Sequence, residues 1–266
     1  KNGYQRPFMM NTLQLTNGIV NGKQTFSEIA QLAGLSATNW SWSVLMADFN
    51  NSGYKDLHIT NGIQRNVLDR DGQQAYWNLL QRTKGKPTEM QFQQVIKKFP
   101  VDSVTNYGFI NNGDLTVSDV SKQWGVNQAS KSNGAAYADF DNDGDLDLVL
   151  NTGNHVASLY ENNSNSSNFI QFHLIGPKGN ASGIGARIKI SYDNITQIHE
   201  HQKSRGYLSS STDIIHFGLD SAQVIDEILI TWPYGVSQQL KDIKSNQRLE
   251  INFTDATAFN NIEKTQ

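Results

Sequence analysis

Three blocks of this chain recur in register at a single offset of 91 residues, and such a repeat restricts the fold to an array of like units. Thr25-Phe26-Ser27-Glu28-Ile29 with Gly34-Leu35 returns as Thr116-Val117-Ser118-Asp119-Val120 with Gly125-Val126. Ala47-Asp48-Phe49 returns as Ala138-Asp139-Phe140, and Asp56-Leu57-His58-Ile59 returns as Asp147-Leu148-Val149-Leu150. The lead-in Leu15-Thr16-Asn17-Gly18 also recurs, first as Ile110-Asn111-Asn112-Gly113 and then as Tyr160-Glu161-Asn162-Asn163, where a third copy begins and diverges.

Each unit reads as short strands around an acidic loop. Val44–Ala47 and Gly134–Ala138 lead in, and Leu57–Thr60 and Leu146–Leu150 lead out with apolar residues at alternate positions. Strand, acidic loop, strand, turn, strand is the plan of a β-propeller blade. Two units cannot close a ring, so the expectation is a partial propeller, either incomplete or cut from a longer one. The start at Lys1, already inside a repeat, reads as a fragment or processed form. Between the units, residues 63–104 break the pattern. Phe92, Val95, Ile96 and Phe99 have helical spacing up to Pro100, and Tyr76, Leu79 and Leu80 suggest an earlier helix. A helical insertion lying over the sheet is expected there.

Composition agrees with a turn-rich, helix-poor chain: 21 Gly and abundant Asn stand against 5 Pro. A net charge of −3 provides no basic footprint for nucleic acid. The absence of cysteine excludes disulfides, thiolate zinc sites and cysteine nucleophiles. No apolar run approaches the roughly 20 residues of a membrane-spanning helix.

The loop at 139–147 carries the chemistry. Calcium takes six to eight oxygens from a short flexible loop with a glycine at its sharp turn. Here Asp139, Asp141, Asp143, Asp145 and Asp147 alternate along nine residues. The side chains of Asp139, Asp141 and Asp143 would converge on the ion, the Asp145 carbonyl would add a backbone oxygen, and Asp147 would close the shell. Gly144 permits the turn. Without a cation the five carboxylates would repel one another. The equivalent loop keeps Asp48, Asn50, Ser52 and Asp56 as oxygen donors, only two of them charged, so a weaker site is expected there.

The string Ala138-Asp139-Phe140-Asp141-Asn142-Asp143-Gly144-Asp145-Leu146-Asp147-Leu148 resembles the FG-GAP/VCBS repeat of integrin-type β-propellers, whose loops carry calcium. The resemblance covers about residues 8–62 and 105–163. It implies calcium at Asp139, Asp141, Asp143, Asp145 and Asp147, and a second site at Asp48, Asn50, Ser52, Tyr54 and Asp56, where Asn50 and Ser52 depart from the pattern. Metal in such loops pins the blade turn and does not imply catalysis.

After the Asn/Ser-rich stretch 162–168 the character changes. Strands are expected at Phe169–Leu174, Ala186–Ile190, Gln197–His201, Ile214–Phe217, Glu227–Thr231 and Arg248–Phe253, with turns at Gly176-Pro177, Asp193-Asn194 and Pro233-Tyr234-Gly235. That spacing describes a small antiparallel sandwich or barrel. Gly183-Ile184-Gly185-Ala186-Arg187, Arg205-Gly206-Tyr207-Leu208-Ser209, His216-Phe217-Gly218-Leu219 and Ile230-Thr231-Trp232-Pro233-Tyr234-Gly235 follow in that order. They resemble the ASPIC/UnbV domain that follows FG-GAP/VCBS repeats in the cartilage acidic protein family. The expected organisation is therefore propeller repeats over 1–165 and an ASPIC/UnbV-like β domain over 166–266.

Other constellations have blander readings. His199 and His201 sit two apart on a strand, but two histidines make a weak metal site, and surface strand positions are the expectation. Ser209, Ser210 and Ser211 with Asp213 and His216 evoke a triad without a nucleophile elbow, and read as a loop entering a strand. Trp40, Trp42 and Trp124 could stack on sugars, although Trp42 reads better as packing between blades. Arg187, Arg205 and Tyr207 suit either a polar pocket or bonds within their domain. No paired acid and base lies outside the acidic loops, so an enzyme is not expected. The reading is a calcium-binding, extracytoplasmic binding or adhesion module, whose ligand is a polysaccharide or a protein, without nucleic-acid partners or a membrane span. The alternatives are a non-catalytic part of a larger enzyme and a purely structural module of a surface protein.

Overall fold

A computed structural model describes residues 10–101, 104–153, 155–164 and 166–258. The outer ends of the two expected domains, 1–9 and 259–266, lie outside the described residues. The chain is mainly β, built from several antiparallel sheets, and among the described residues none closes into a barrel. Strands β1 (Gln14–Val20) and β2 (Lys23–Glu28) form a hairpin, followed by the one-turn helix α1 (Ala30–Ala33), which ends on Gly34 in the left-handed region, φ 83°. Next come β3 (Ser41–Ala47) and β4 (Asp56–Asn61).

The expected helical insertion is present as α2 (Arg70–Arg82) and α3 (Glu89–Ile96). Each starts on a side-chain cap: Asp69 accepts from the Gly72 N–H, and Thr88 with Gln91 forms a capping box. Phe99 then packs where a Cβ on Gly72 would stand, which docks the end of α3 on the start of α2. Strands β5 (Val104–Thr105), β6 (Tyr107–Asn111), β7 (Val117–Asp119), β8 (Ala129–Ser130), β9 (Ser132–Ala138), β10 (Asp147–Thr152) and β11 (Ser158–Tyr160) complete the repeat region. They assemble as a four-stranded sheet β3-β4-β6-β7, a three-stranded sheet β11-β10-β9 and a small β5-β8 pair.

The C-terminal part contains β12 (Asn168–Ile175), β13 (Arg187–Tyr192), β14 (Ile195–Glu200), β15 (Ile214–Asp220), β16 (Val224–Thr231), β17 (Val236–Lys244), β18 (Gln247–Asn252) and β19 (Thr257–Ala258). Sheets β14-β13-β16-β17-β19 and β15-β12-β18 face each other across one apolar core. Ile188, Ile190, Ile228 and Ile230 come from the first, and Ile170, Phe172, Ile215 and Phe217 from the second, all essentially inaccessible. Burying each such side chain is worth about 1.5–3 kcal/mol. One pair departs from the antiparallel expectation: β12 and β18 run parallel, Ile170 beside Gln247 through Ile175 beside Asn252.

All six residues of β4 are buried, because both faces of its sheet are covered. Leu57 and Ile59 join the core with Phe109, while Thr60 donates from the other face to the Asn133 carbonyl of β9, 2.6 Å away. His58 lies on that second face, fully buried, and neither ring nitrogen meets a partner among the described residues. Burial holds its imidazole down to about 4. The unfolded chain takes up this proton near pH 6.5 and the folded chain only near 4, so stability is lost as pH falls through that window. His58→Val installs the residue of the equivalent position, Val149. The variant is expected to melt above the native chain at pH 7, the gap widening by about 3 kcal/mol by pH 4. Denaturant titrations at both pH values measure this, and a constant gap would mean that the imidazole charges at no cost.

A candidate cation site at the acidic loop

The two acidic loops are built by the same bonds, which places the 91-residue repeat in three dimensions. The Phe49 N–H donates to Asp56 Oδ2 (3.1 Å) and the Phe140 N–H to Asp147 Oδ2 (2.8 Å). The Asn111 N–H closes on Asp56 Oδ1 (3.0 Å), and the Asn162 N–H on Asp147 Oδ1 (2.8 Å). Asn51 and Asn142 both take left-handed backbone, φ 57° and 63°, a region that asparagine tolerates. In the second loop the Asp143 N–H bonds Asp141 and the Asp145 N–H bonds Asp143, so consecutive carboxylates fold inward.

Asp139, Asp141 and Asp147 each present an oxygen within 4.8 Å of one another, close enough for one metal ion to hold all three. Among the described residues Asp139 Oδ1 is buried and meets no hydrogen-bond partner, and the same holds for both oxygens of the Asp145 carboxylate. Burial, then the neighbouring Asp143 and Asp147, pushes Asp145 up to about 8, and burial raises Asp143 as well. Carboxylates in this condition cost free energy until a proton or a cation meets them, and all-oxygen donors suit a hard cation. The donor set therefore fits a metal. Asp143 and the Asp145 carboxylate stand outside the group of three.

In the first loop, Asp48 accepts from the Ser52 and Gly53 N–H groups, and the Asn50 amide oxygen also accepts from Ser52. Burial lifts Asp48 to about 6 and Asp56 to about 7. The charge facing them is Lys55, 5.8 Å from the centroid of the Phe217 ring. Burial lowers its ammonium and Asp48 pulls it back up. Tyr54 is exposed and turns toward Gly113.

This loop is also where the repeats meet the C-terminal domain. Asn51 accepts from the Asp220 N–H through its carbonyl (2.7 Å) and bonds His216 Nε2 through Oδ1 (2.6 Å). A Cβ on Gly218 would lie 2.1 Å from Asp48 Oδ2 and 2.4 Å from Asn51 Cα. The second loop is held from the same side: Gln171 Nε2 donates to Asp139 Oδ2 (2.7 Å), and Arg248 stands 3.5 Å from that oxygen. Asn51, Gln171 and Arg248 were not candidates from sequence, and His216 was considered only within the triad-like serine stretch. The one signal pointing to them was Gly218, a glycine inside a strand pattern, which marks close backbone approach.

The histidine pair departs from the surface expectation. His201 is buried, 4.0 Å from Asp213, and His199 packs edge-on against Phe217. Both line one small pocket with Ala47 and Tyr137 of the repeat region. The serine constellation does not assemble: Ser209 bonds the Tyr207 carbonyl, Asp213 pairs with Lys203, and His216 bonds Asn51. Trp42 packs on Tyr207 and donates to the Gly62 carbonyl, whereas Trp124 packs on Phe49. Trp124 also lines a cleft of about 350 Å³ with Phe49, Val126, Leu148, Tyr160 and Asn162. Arg187 lies 3.9 Å from Glu200, and Arg205 donates to the Glu200 carbonyl, so both are used within their own domain.

Residues 176–258 match the family described as ASPIC and UnbV. Over 149 residues the chain is 28% identical to cartilage acidic protein 1 of Mus musculus, and over 147 residues 26% identical to cartilage acidic protein 1 of Homo sapiens. Each match takes in 53% of this chain and 22% of the relative, so the chain spans about a fifth of the length of the curated relatives it matches.

Proposed function

We propose that this chain is part of an extracytoplasmic calcium-binding β protein whose loops recognise a polysaccharide or a protein. The observation that carries the calcium reading is the convergence of Asp139, Asp141 and Asp147, with Asp139 Oδ1 buried and without a partner among the described residues. On this reading those three side chains hold the ion, Asp143 and a backbone oxygen of Asp145 complete its shell, and the ion pins the turn between β9 and β10. Calcium prefers many oxygens in a flexible loop, and millimolar external calcium suits simple sites of this kind. Binding at the first loop is expected to be weaker, since only Asp48 and Asp56 are charged and Lys55 sets a positive charge beside Asp48.

The sheet β3-β4-β6-β7 and the sheet β11-β10-β9 are read as successive propeller blades, and β1-β2, equivalent by the same offset to β6-β7, as the outer half of a preceding one. Rigid sheets presenting loops suit recognition, and the aromatic cleft at Trp124 and Tyr160 offers a place for it. A second reading, a structural module, is favoured by the engagement of Trp42 and Trp124 in packing. Among the described residues no helix is long and apolar enough to cross a membrane, which says nothing of strands.

Calorimetric titration with calcium tests the central claim. The native chain is expected to bind, and Asp141→Ala, which removes an exposed ligand, to lose the heat signal from the second loop. A native chain that binds no calcium would overturn the proposal.

A further inference from the structure

An unbroken chain of hydrogen bonds leaves the C-terminal domain and grips the acidic loop at two points. Arg248 Nε donates to Gln171 Oε1 (2.7 Å). A guanidinium has no acceptor, so it fixes the glutamine oxygen toward itself and the Nε2 hydrogens away. One of those hydrogens goes to Asp139 Oδ2 at 2.7 Å, and Nε2 also lies 3.5 Å from His216 Nδ1. With Nδ1 as acceptor, the His216 proton sits on Nε2, 2.6 Å from Asn51 Oδ1. Asn51 Nδ2 then donates to the Gly144 carbonyl (3.1 Å). Every donor meets an acceptor along the path, and Gln171, His216 and Asn51 are 1%, 5% and 2% exposed, so water does not compete for these bonds.

We propose that Gln171, His216 and Asn51 are positioning residues for the cation site, so that the C-terminal domain and the first loop together set the affinity of the second loop for its ion. The inference rests on the calcium reading of that loop. The network takes Asp139 Oδ2 and leaves Oδ1 free to face the ion. It also holds the carbonyl of Gly144, the residue at which the loop turns. Asn51 stands in the first loop where Asn142 stands in the second, so one repeat has become part of the scaffold of the other. His216 serves as a neutral ring, because burial, then the charges of Lys55 and His199, holds it down to about 3.

Partners that orient metal ligands typically change affinity by about ten- to a hundred-fold when removed. Calcium affinity would be measured by calorimetry on the full chain and on three variants, with folding followed by near-ultraviolet circular dichroism in chelator. Asn51→Gly keeps the left-handed backbone and its carbonyl but cuts the link to both His216 and Gly144. His216→Phe keeps the ring volume and removes both bonds, while His216→Gln retains one acceptor and one donor. A loss on the order of ten-fold or more in Asn51→Gly and His216→Phe, with near-native affinity in His216→Gln, is expected. Native affinity in all three would overturn the positioning role and leave the calcium reading standing. Near-native affinity in His216→Phe beside a loss in His216→Gln would show that ring shape matters and the bonds do not, and would equally overturn the positioning role. If the native chain itself binds no calcium, the reading beneath the inference fails with it.

Discussion

In calcium at about a thousand times the dissociation constant of the second loop the native chain is expected to melt about 10 °C higher than in chelator, while Asp141→Ala loses most of that rise. A ligand that binds only the folded state at about a thousand times its dissociation constant stabilises it by about 4 kcal/mol. For a chain of this size each kcal/mol moves the midpoint by about 2–4 °C. Asp141 is the informative position because it is exposed and, among the described residues, accepts one hydrogen bond, from the Asp143 N–H. In chelator its removal is expected to cost no more than about 0.5 kcal/mol. Asp139 and Asp147 would not separate the effects, since both also hold the fold together through Gln171, Phe140 and Asn162. A native chain with the same midpoint in calcium and chelator would leave the acidic loop as a hydrogen-bonded turn.

What could be read in advance was local. The repeat offset located β3, β4, β9 and β10, because alternation across a pleated strand and the Asp-to-Asp loop are both short-range patterns. Helical spacing with Pro100 placed α3, and Tyr76, Leu79 and Leu80 placed α2. Strand β17 escaped because its apolar residues, Val236, Leu240 and Ile243, do not alternate, and Asp242 turns to φ 52° in mid-strand. The parallel pairing of β12 with β18 joins residues 77 positions apart, and no local pattern distinguishes it from an antiparallel one. Gln171 illustrates the deeper limit. It alternates with Ile170 and Phe172 as an outward-facing residue should, yet it is buried, because its outward face meets the repeat region. A single strand cannot reveal which surface another domain will cover. The ligand-type residues of the second loop were therefore legible, whereas the groups that orient them, drawn from three distant segments, were not.

Gly218→Ala is expected to destabilise the protein by about 3 kcal/mol and to split its unfolding into two transitions. The added methyl would stand 2.1 Å from Asp48 Oδ2, 2.4 Å from Asn51 Cα and 2.5 Å from Asn51 C. Two of these are backbone atoms, so no rotamer change relieves the clash, and the loop must back away from β15. Overpacking of this sort costs about 1–3 kcal/mol. Retreat also lengthens the bonds from Asp220 to the Asn51 carbonyl and between His216 and Asn51, each worth about 1 kcal/mol. The loss falls on the seam and not inside either part, so the sandwich around Trp232, Phe172 and Ile190 keeps its own core while the repeat region loses its support. Gly153→Ala is the matching control: its nearest neighbour, the Lys131 carbonyl oxygen, would lie 3.4 Å from the new methyl, an ordinary contact, and a change within about 0.5 kcal/mol is expected. Calorimetric melting of the two variants beside the native chain decides the matter. A Gly218→Ala protein that melts in one transition near the native midpoint would mean that the seam yields at little cost, and that the two parts of the chain depend on each other less than their shared hydrogen bonds imply.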